Sequence, residues 1–165
     1  MRKIRFIAPA VVAAIVAATA AVAPGYAPGS PVAHATKSIK FSGKYSGKAS
    51  VVIKGSSLKI NSVSGSGSGT DGLTKLSGSK GSGHTSGSCG FFSGPASLSG
   101  SGGSVTISVK SSSTGCGTGN LITVKGSASV TGGSGKLKGA KGALSFSGSY
   151  NKGNGAFSVT ITGTV

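Results

Sequence analysis

The chain has 165 residues and a formal net charge of +16 at pH 7, with a single acidic residue, two histidines and 31 glycines. Its length suits one domain, and its excess of basic groups is typical of proteins that contact polyanions. Because general acid–base catalysis and metal binding draw on positioned carboxylates and histidines, we expect neither an enzyme nor a metal or cofactor site.

The first 35 residues have the pattern of an export signal peptide. A basic start is followed by an Ala- and Val-rich run at residues 6–23 and by a small-x-small motif that ends at Ala35. We expect signal peptidase to cut directly after this motif. The alternatives are a rival site, which would leave the rigid Pro24 after the cut, and an uncleaved anchor. Residues 36–165 would then be the mature domain, secreted or associated with the cell wall and without a membrane span.

Residues 39–54 alternate between apolar or small side chains and polar ones almost without interruption. Phe41 and Tyr45 share one parity, so this period of two predicts a strand with one face toward a core and one toward water. The run is longer than an ordinary strand, and we expect it to bend at Gly43 and Gly47. The lysines on its water-facing side are Lys40, Lys44, Lys48 and Lys54.

The second predicted strand follows a tight turn at residues 55–56 and changes parity by one near Asn61 and Ser62. A slip of one residue is the sequence sign of a β-bulge. The segment GSGSG at residues 65–69 keeps the parity of the residues before it. We interpret it as strand with glycine on the core side, and a flexible linker is the alternative.

Six further strands complete the pattern. A turn at residues 71–72 leads to a weak strand at residues 73–84, which dissolves into a poorly patterned Gly- and Ser-rich stretch. The later elements are a hairpin over residues 94–110, a loop at residues 111–119, and strands at residues 122–131, 144–150 and 157–165, the last two joined by a turn at residues 151–155.

About eight short-turned strands, with no helical period after residue 35, predict an all-β fold. A single antiparallel barrel is favoured because closure removes exposed edges, and a two-sheet sandwich is the alternative. The few aromatic residues and many inward glycines predict a narrow interior rather than a roomy cavity, with Tyr45 and Tyr150 used for packing. Cys89 and Cys116 are expected to form one disulfide, as is usual in exported domains.

Residues 131–146, TGGSGKLKGAKGALSF, resemble the GG(T/S)G-x-(F/L)-x-GA-x-G signature of the dirigent and allene oxide cyclase barrel superfamily. The resemblance implies an eight-stranded antiparallel barrel, with a turn of positive backbone angles, an apolar plug, and close backbone approach at Gly139 and Gly142. It implies no activity, because the acidic and arginine pocket residues of the plant members have no counterparts here. A closer likeness, to short secreted bacterial proteins, implies no function either. The matching residues are Gly132, Gly133, Gly135, Leu137, Gly139, Ala140 and Gly142.

The charge pattern favours a non-enzymatic barrel that associates electrostatically with anionic cell-envelope or extracellular polymers. After the leader, 14 lysines and no arginine stand against Asp71 alone, a net charge of +13. Lysine cannot form the bidentate hydrogen bonds by which arginine recognises a base or a carboxylate. We therefore expect salt-sensitive binding without specific nucleic-acid recognition. The predicted contact residues are Lys40, Lys44, Lys48, Lys54 and Lys125.

Other functions stay open at this point. A small-molecule binding or cyclase-like barrel would need an interior cavity of at least about 300 Å³. A self-assembling surface protein would use the Ser- and Thr-rich outer face, and the lysines could serve solubility alone. His84, in a Gly- and Ser-rich stretch, is expected to be a solvated loop residue rather than a catalytic one. The sequence does not indicate an oligomeric state.

Overall fold

Eight antiparallel strands form the domain, and each pairs with the next along the chain. They are β1 (Lys40–Lys54), β2 (Ser57–Gly69), β3 (Leu73–Ser86), β4 (Cys89–Gly100), β5 (Gly103–Cys116), β6 (Leu121–Gly135), β7 (Gly142–Asn151) and β8 (Ala156–Thr164). One turn of 3-10 helix, Thr70–Gly72, joins β2 to β3. β8 pairs with β1, so the sheet closes into the predicted barrel, and the sandwich alternative is wrong.

The structure is a computed structural model that describes residues 38–165. The predicted signal peptide and its cleavage site lie outside these residues. Within residues 38–165 no helix is long and apolar enough to cross a bilayer.

The alternation in β1 sets both the inner and the outer face of the barrel. Phe41 and Tyr45 are buried, while Lys40, Lys44 and Lys48 are exposed. Residues 40–48 pair with β8 on one side, and residues 43–54 pair with β2 on the other. Closure of the ring gives each of the eight described strands a neighbour on both sides, and the end of β1 beyond the pairing with β8 pairs with β2 alone.

The register between β1 and β2 confirms the predicted bulge. Consecutive residues of β1 pair with Ser62 and Ile60, which leaves Asn61 as the extra residue of β2. Residues 65–69 belong to β2, so they are strand rather than linker. At Gly67 in this segment a Cβ atom would run into the backbone of β1, and glycine is therefore needed for the two strands to approach.

Two interruptions predicted from the sequence are wrong. The expected loop at residues 111–119 is strand as far as Cys116, and the poorly patterned stretch is the β3–β4 hairpin, which turns at residues 87–88. Glycine at inward positions removes the apolar alternation, yet backbone pairing continues across it, as between Gly90 and Gly115. Strand pairing therefore persists where the side-chain signal is lost.

One end of the barrel, here called the closed end, holds the β2–β3, β4–β5 and β6–β7 connections and is filled by side chains. Leu137 and Ala140, from the β6–β7 connection, are buried in the core. Ile39 and Val165 exchange two backbone hydrogen bonds, each of 2.9 Å. The other core residues at or near this end include Phe41, Tyr45, Leu73, Leu98, Val105, Val130 and Leu144.

Candidate functional site

An apolar cavity of about 330 Å³ lies inside the barrel and reaches the end opposite the closed end. This end, here called the mouth, carries the β1–β2, β3–β4, β5–β6 and β7–β8 turns. All eight strands contribute to the cavity wall. Its larger apolar side chains include Ile53, Leu58, Ile60, Phe92, Val109 and Phe146.

Small inward residues leave this half of the barrel hollow. Gly90 and Gly115 pair across β4 and β5 and line the cavity, and the short side chains of Ala49 and Ala96 line the same space. The predicted narrow interior is therefore wrong for the mouth half. Gly90 and Gly115 make room for the tips of Leu58 and Ile122, yet the side chains of this half still leave part of the interior unfilled.

Few polar groups line the cavity. Among the described lining residues Lys152, in the β7–β8 turn, is the one that carries a charge. Tyr150, predicted to be a packing residue, also lines the cavity, and burial raises the pKa of its phenol. The rings of Phe92 and Phe146 lie 6.3 Å apart between centroids, tilted by 37°. A wall of this kind offers apolar contact area with a few hydrogen-bonding groups, which suits the binding of a small molecule.

The predicted polyanion-binding lysines lie on the outside of the barrel, but they do not form one patch. Lys40, Lys44 and Lys48 are exposed along β1, and the Lys48 ammonium donates a hydrogen bond of 2.8 Å to the carbonyl oxygen of Asn154. Lys54 ends β1 at the mouth. Lys125 is exposed on β6, which two strands, β7 and β8, separate from β1. Four of the five lysines therefore share one strand, and the fifth is remote.

The predicted disulfide is confirmed. Cys89 and Cys116 pair directly across β4 and β5, with their Cα atoms 4.1 Å apart, and join these strands beside the mouth. His84, expected in a loop, lies on β3 instead. Its ring is exposed and stacks on Phe91 with centroids 5.0 Å apart and planes 12° from parallel. Asp71 is exposed in the 3-10 turn at the closed end and does not line the cavity.

The Gly-rich motif of residues 131–146 forms the plug of the closed end. Gly135 and Gly139 have positive φ angles of 62° and 78°, as the expected turn requires. A Cβ at Gly142 would meet the backbone of β8, so the expected close approach exists there. At Gly139 nothing lies within 4 Å of a Cβ position, and a close approach at that residue is wrong. The residues of the motif are Gly132, Gly133, Gly135, Leu137, Gly139, Ala140 and Gly142.

Comparison of the chain with protein-family models, with curated proteins and with solved structures finds no match. The resemblance to dirigent and allene oxide cyclase barrels therefore stays a prediction.

Proposed function

We propose that the barrel binds a small apolar molecule in its cavity. The observation that carries this proposal is the hollow mouth half within an otherwise packed fold. Protein interiors hold few voids larger than a water molecule, and about 330 Å³ is roughly ten times the volume of one water in the liquid. It also falls within the range of about 300–1,000 Å³ that is usual for small-molecule pockets.

The lining indicates which part of a ligand would go where. The aliphatic and aromatic wall would hold an apolar body, because each buried CH₂ group contributes about 0.8 kcal/mol. Thr85, Tyr150 and Lys152 are polar residues of the lining toward the mouth, and a polar end of the ligand would lie at that end. The site contains no group of carboxylates or histidines among its described lining residues, so binding rather than catalysis is the activity that we assign.

A fluorescence titration tests the proposal. N-phenyl-1-naphthylamine, which brightens in apolar surroundings, is added to the wild-type protein and to two variants. Ala96→Leu adds three carbon atoms inside the cavity, and Ala143→Leu adds the same three atoms on the exposed outer side of β7. We expect saturable binding that Ala96→Leu weakens about tenfold and Ala143→Leu leaves unchanged. Absence of saturable binding, or equal binding by both variants, would overturn the proposal.

A second candidate function is association with an anionic polymer. It is supported by Lys40, Lys44 and Lys48, which are exposed at every fourth residue of β1 and hence about 13 Å apart along the strand. Asp71 is the one acidic residue in the described chain and lies on another element. The disulfide, which suits an oxidising compartment, is compatible with an exported protein and an extracellular polymer.

Retention on purified cell wall at low and high salt tests this second function. The variant Lys40→Ser/Lys44→Ser/Lys48→Ser is compared with Lys136→Ser/Lys138→Ser/Lys141→Ser, which removes the same charge from the β6–β7 connection. We expect salt-sensitive retention that only the β1 variant loses. Equal retention of the two variants, or retention that ignores salt, would contradict it.

A further inference from the structure

The mouth carries the large apolar side chains that the described residues expose most. Val52, Ile53 and Leu121 are 38%, 51% and 65% exposed. Val52 and Ile53 precede the β1–β2 turn, and Leu121 is the first residue of β6, directly after the β5–β6 loop. Elsewhere the outward positions of the strands are mostly serine, threonine and lysine. The exposed apolar groups are therefore confined to one end of the barrel.

Lysines accompany these apolar groups. Lys59 pairs across the sheet with Val52, and Lys54 ends the same hairpin arm. Lys152 directly follows Asn151, which pairs with Leu121 across β6 and β7. Its backbone N–H donates a hydrogen bond of 2.8 Å to the carbonyl oxygen of Asn120 in the β5–β6 loop. All three lysines are exposed. The acid of the described chain, Asp71, lies at the closed end, so nothing negative at the mouth offsets this charge.

We infer that the mouth of the barrel docks on an anionic lipid surface. Protein segments that bind at the membrane interface combine apolar side chains, which enter the headgroup region, with lysines that are attracted to anionic lipids. A soluble polyanion would use the lysines alone and would gain nothing from exposed isoleucine and leucine. The match of apolar tips with positive charge at one end therefore favours a lipid surface over a polymer.

Docking in this orientation turns the cavity opening toward the bilayer. An apolar molecule could then pass between the lipid and the cavity without crossing water. The docking surface consists of Val52, Ile53, Lys54, Lys59, Leu121 and Lys152, and it is present whether or not the cavity holds a ligand. The inference therefore goes beyond the proposed function and does not rest on it.

Sedimentation with vesicles tests the role of charge. Vesicles of phosphatidylcholine alone are compared with vesicles that contain about one third phosphatidylglycerol, at low and high salt. The mouth variant Lys54→Ser/Lys59→Ser/Lys152→Ser is matched with Lys136→Ser/Lys138→Ser/Lys141→Ser, which has the same net charge. We expect binding to the anionic vesicles that falls about a hundredfold in the mouth variant and much less in the matched one. Equal loss in both variants, or no binding by the wild-type protein, would overturn the inference.

A second pair of variants tests the apolar contribution. Ile53→Ser/Leu121→Ser keeps every lysine, and Ala143→Ser changes an exposed apolar residue away from the mouth. We expect about tenfold weaker binding to anionic vesicles for the first and no change for the second. If the first variant binds as the wild type does, the exposed apolar side chains contribute nothing and lipid docking is refuted. The fluorophore titration contains no lipid, so a failure of one proposal leaves the other intact.

Discussion

Replacing Tyr45 with phenylalanine removes one buried hydroxyl from the closed end of the barrel. The side chain is 2% exposed, and its hydroxyl donates a hydrogen bond of 2.7 Å to the carbonyl oxygen of Leu73. A buried carbonyl that loses such a donor costs about 1–3 kcal/mol. We expect the free energy of unfolding of Tyr45→Phe near neutral pH to be lower than that of the wild type by this amount.

The same hydroxyl makes the difference between the two proteins depend on pH. Burial raises the pKa of Tyr45 from 10.0 to about 12. The unfolded chain therefore ionises first, so the stabilisation by the neutral phenol is complete below pH 10 and is lost as the pH rises through 12. A pKa difference of about two corresponds to about 2–3 kcal/mol. The advantage of the wild type over Tyr45→Phe should vanish or reverse by about pH 12.

Urea unfolding of both proteins, followed by circular dichroism between about pH 8 and pH 12, measures this difference. Every other ionisable group is common to the two proteins, so subtraction isolates the Tyr45 phenol. A difference in the free energy of unfolding that stays constant over this range would refute the reasoning, because it would mean that the phenol ionises as easily in the folded barrel as in the unfolded chain.

Three further variants, each with a control, test the cavity, the wall and the disulfide. Ala96→Leu should raise the free energy of unfolding by about 2 kcal/mol, because its three added carbons fill empty space. The control Ala143→Leu, on the outer side of β7, should not raise it. A loss of stability of Ala96→Leu in thermal melts would mean that the space is too small. Gly67→Ala should cost at least about 2 kcal/mol in urea unfolding because its Cβ meets the backbone of β1, while Gly119→Ala, with nothing within 4 Å, should be neutral. Cys89→Ser/Cys116→Ser should cost about 3–4 kcal/mol, matched by reduction of the wild type, and an unchanged urea midpoint would contradict this.

The barrel could be predicted from the sequence because its signals are local. The alternation in β1 specifies which side chains face the core, and the change of parity at Asn61 marks the bulge without reference to any other strand. The β3–β4 hairpin and the end of β5 could not be recognised in this way. Glycine and serine occupy both faces there, so the pairing is visible only once the neighbouring strands are in place.

The cavity could not be predicted because its volume depends on which inward residues meet across the barrel. Gly115 and Ala49 are far apart in sequence, and no local pattern shows that both line one space. The exposed apolar side chains at the mouth could not be predicted as one surface for the same reason. Ile53 and Leu121 belong to strands that are remote along the chain, and only closure of the ring brings both to one end.

The glycines of the barrel wall divide into two kinds, and this division explains why one end is hollow. At Gly67 and Gly83 a Cβ would strike the backbone of the adjacent strand, so glycine is needed there for the two strands to pair. At Gly90 and Gly115 the nearest atoms to a Cβ are the side-chain tips of Leu58 and of β6 residues, at 3.0 Å and 3.2 Å, and these tips can move. Backbone geometry therefore does not demand glycine at the second pair. A side chain at either position would require these neighbours to shift by a few tenths of an ångström, so the hollow depends on which side chains line it and not on the course of the backbone.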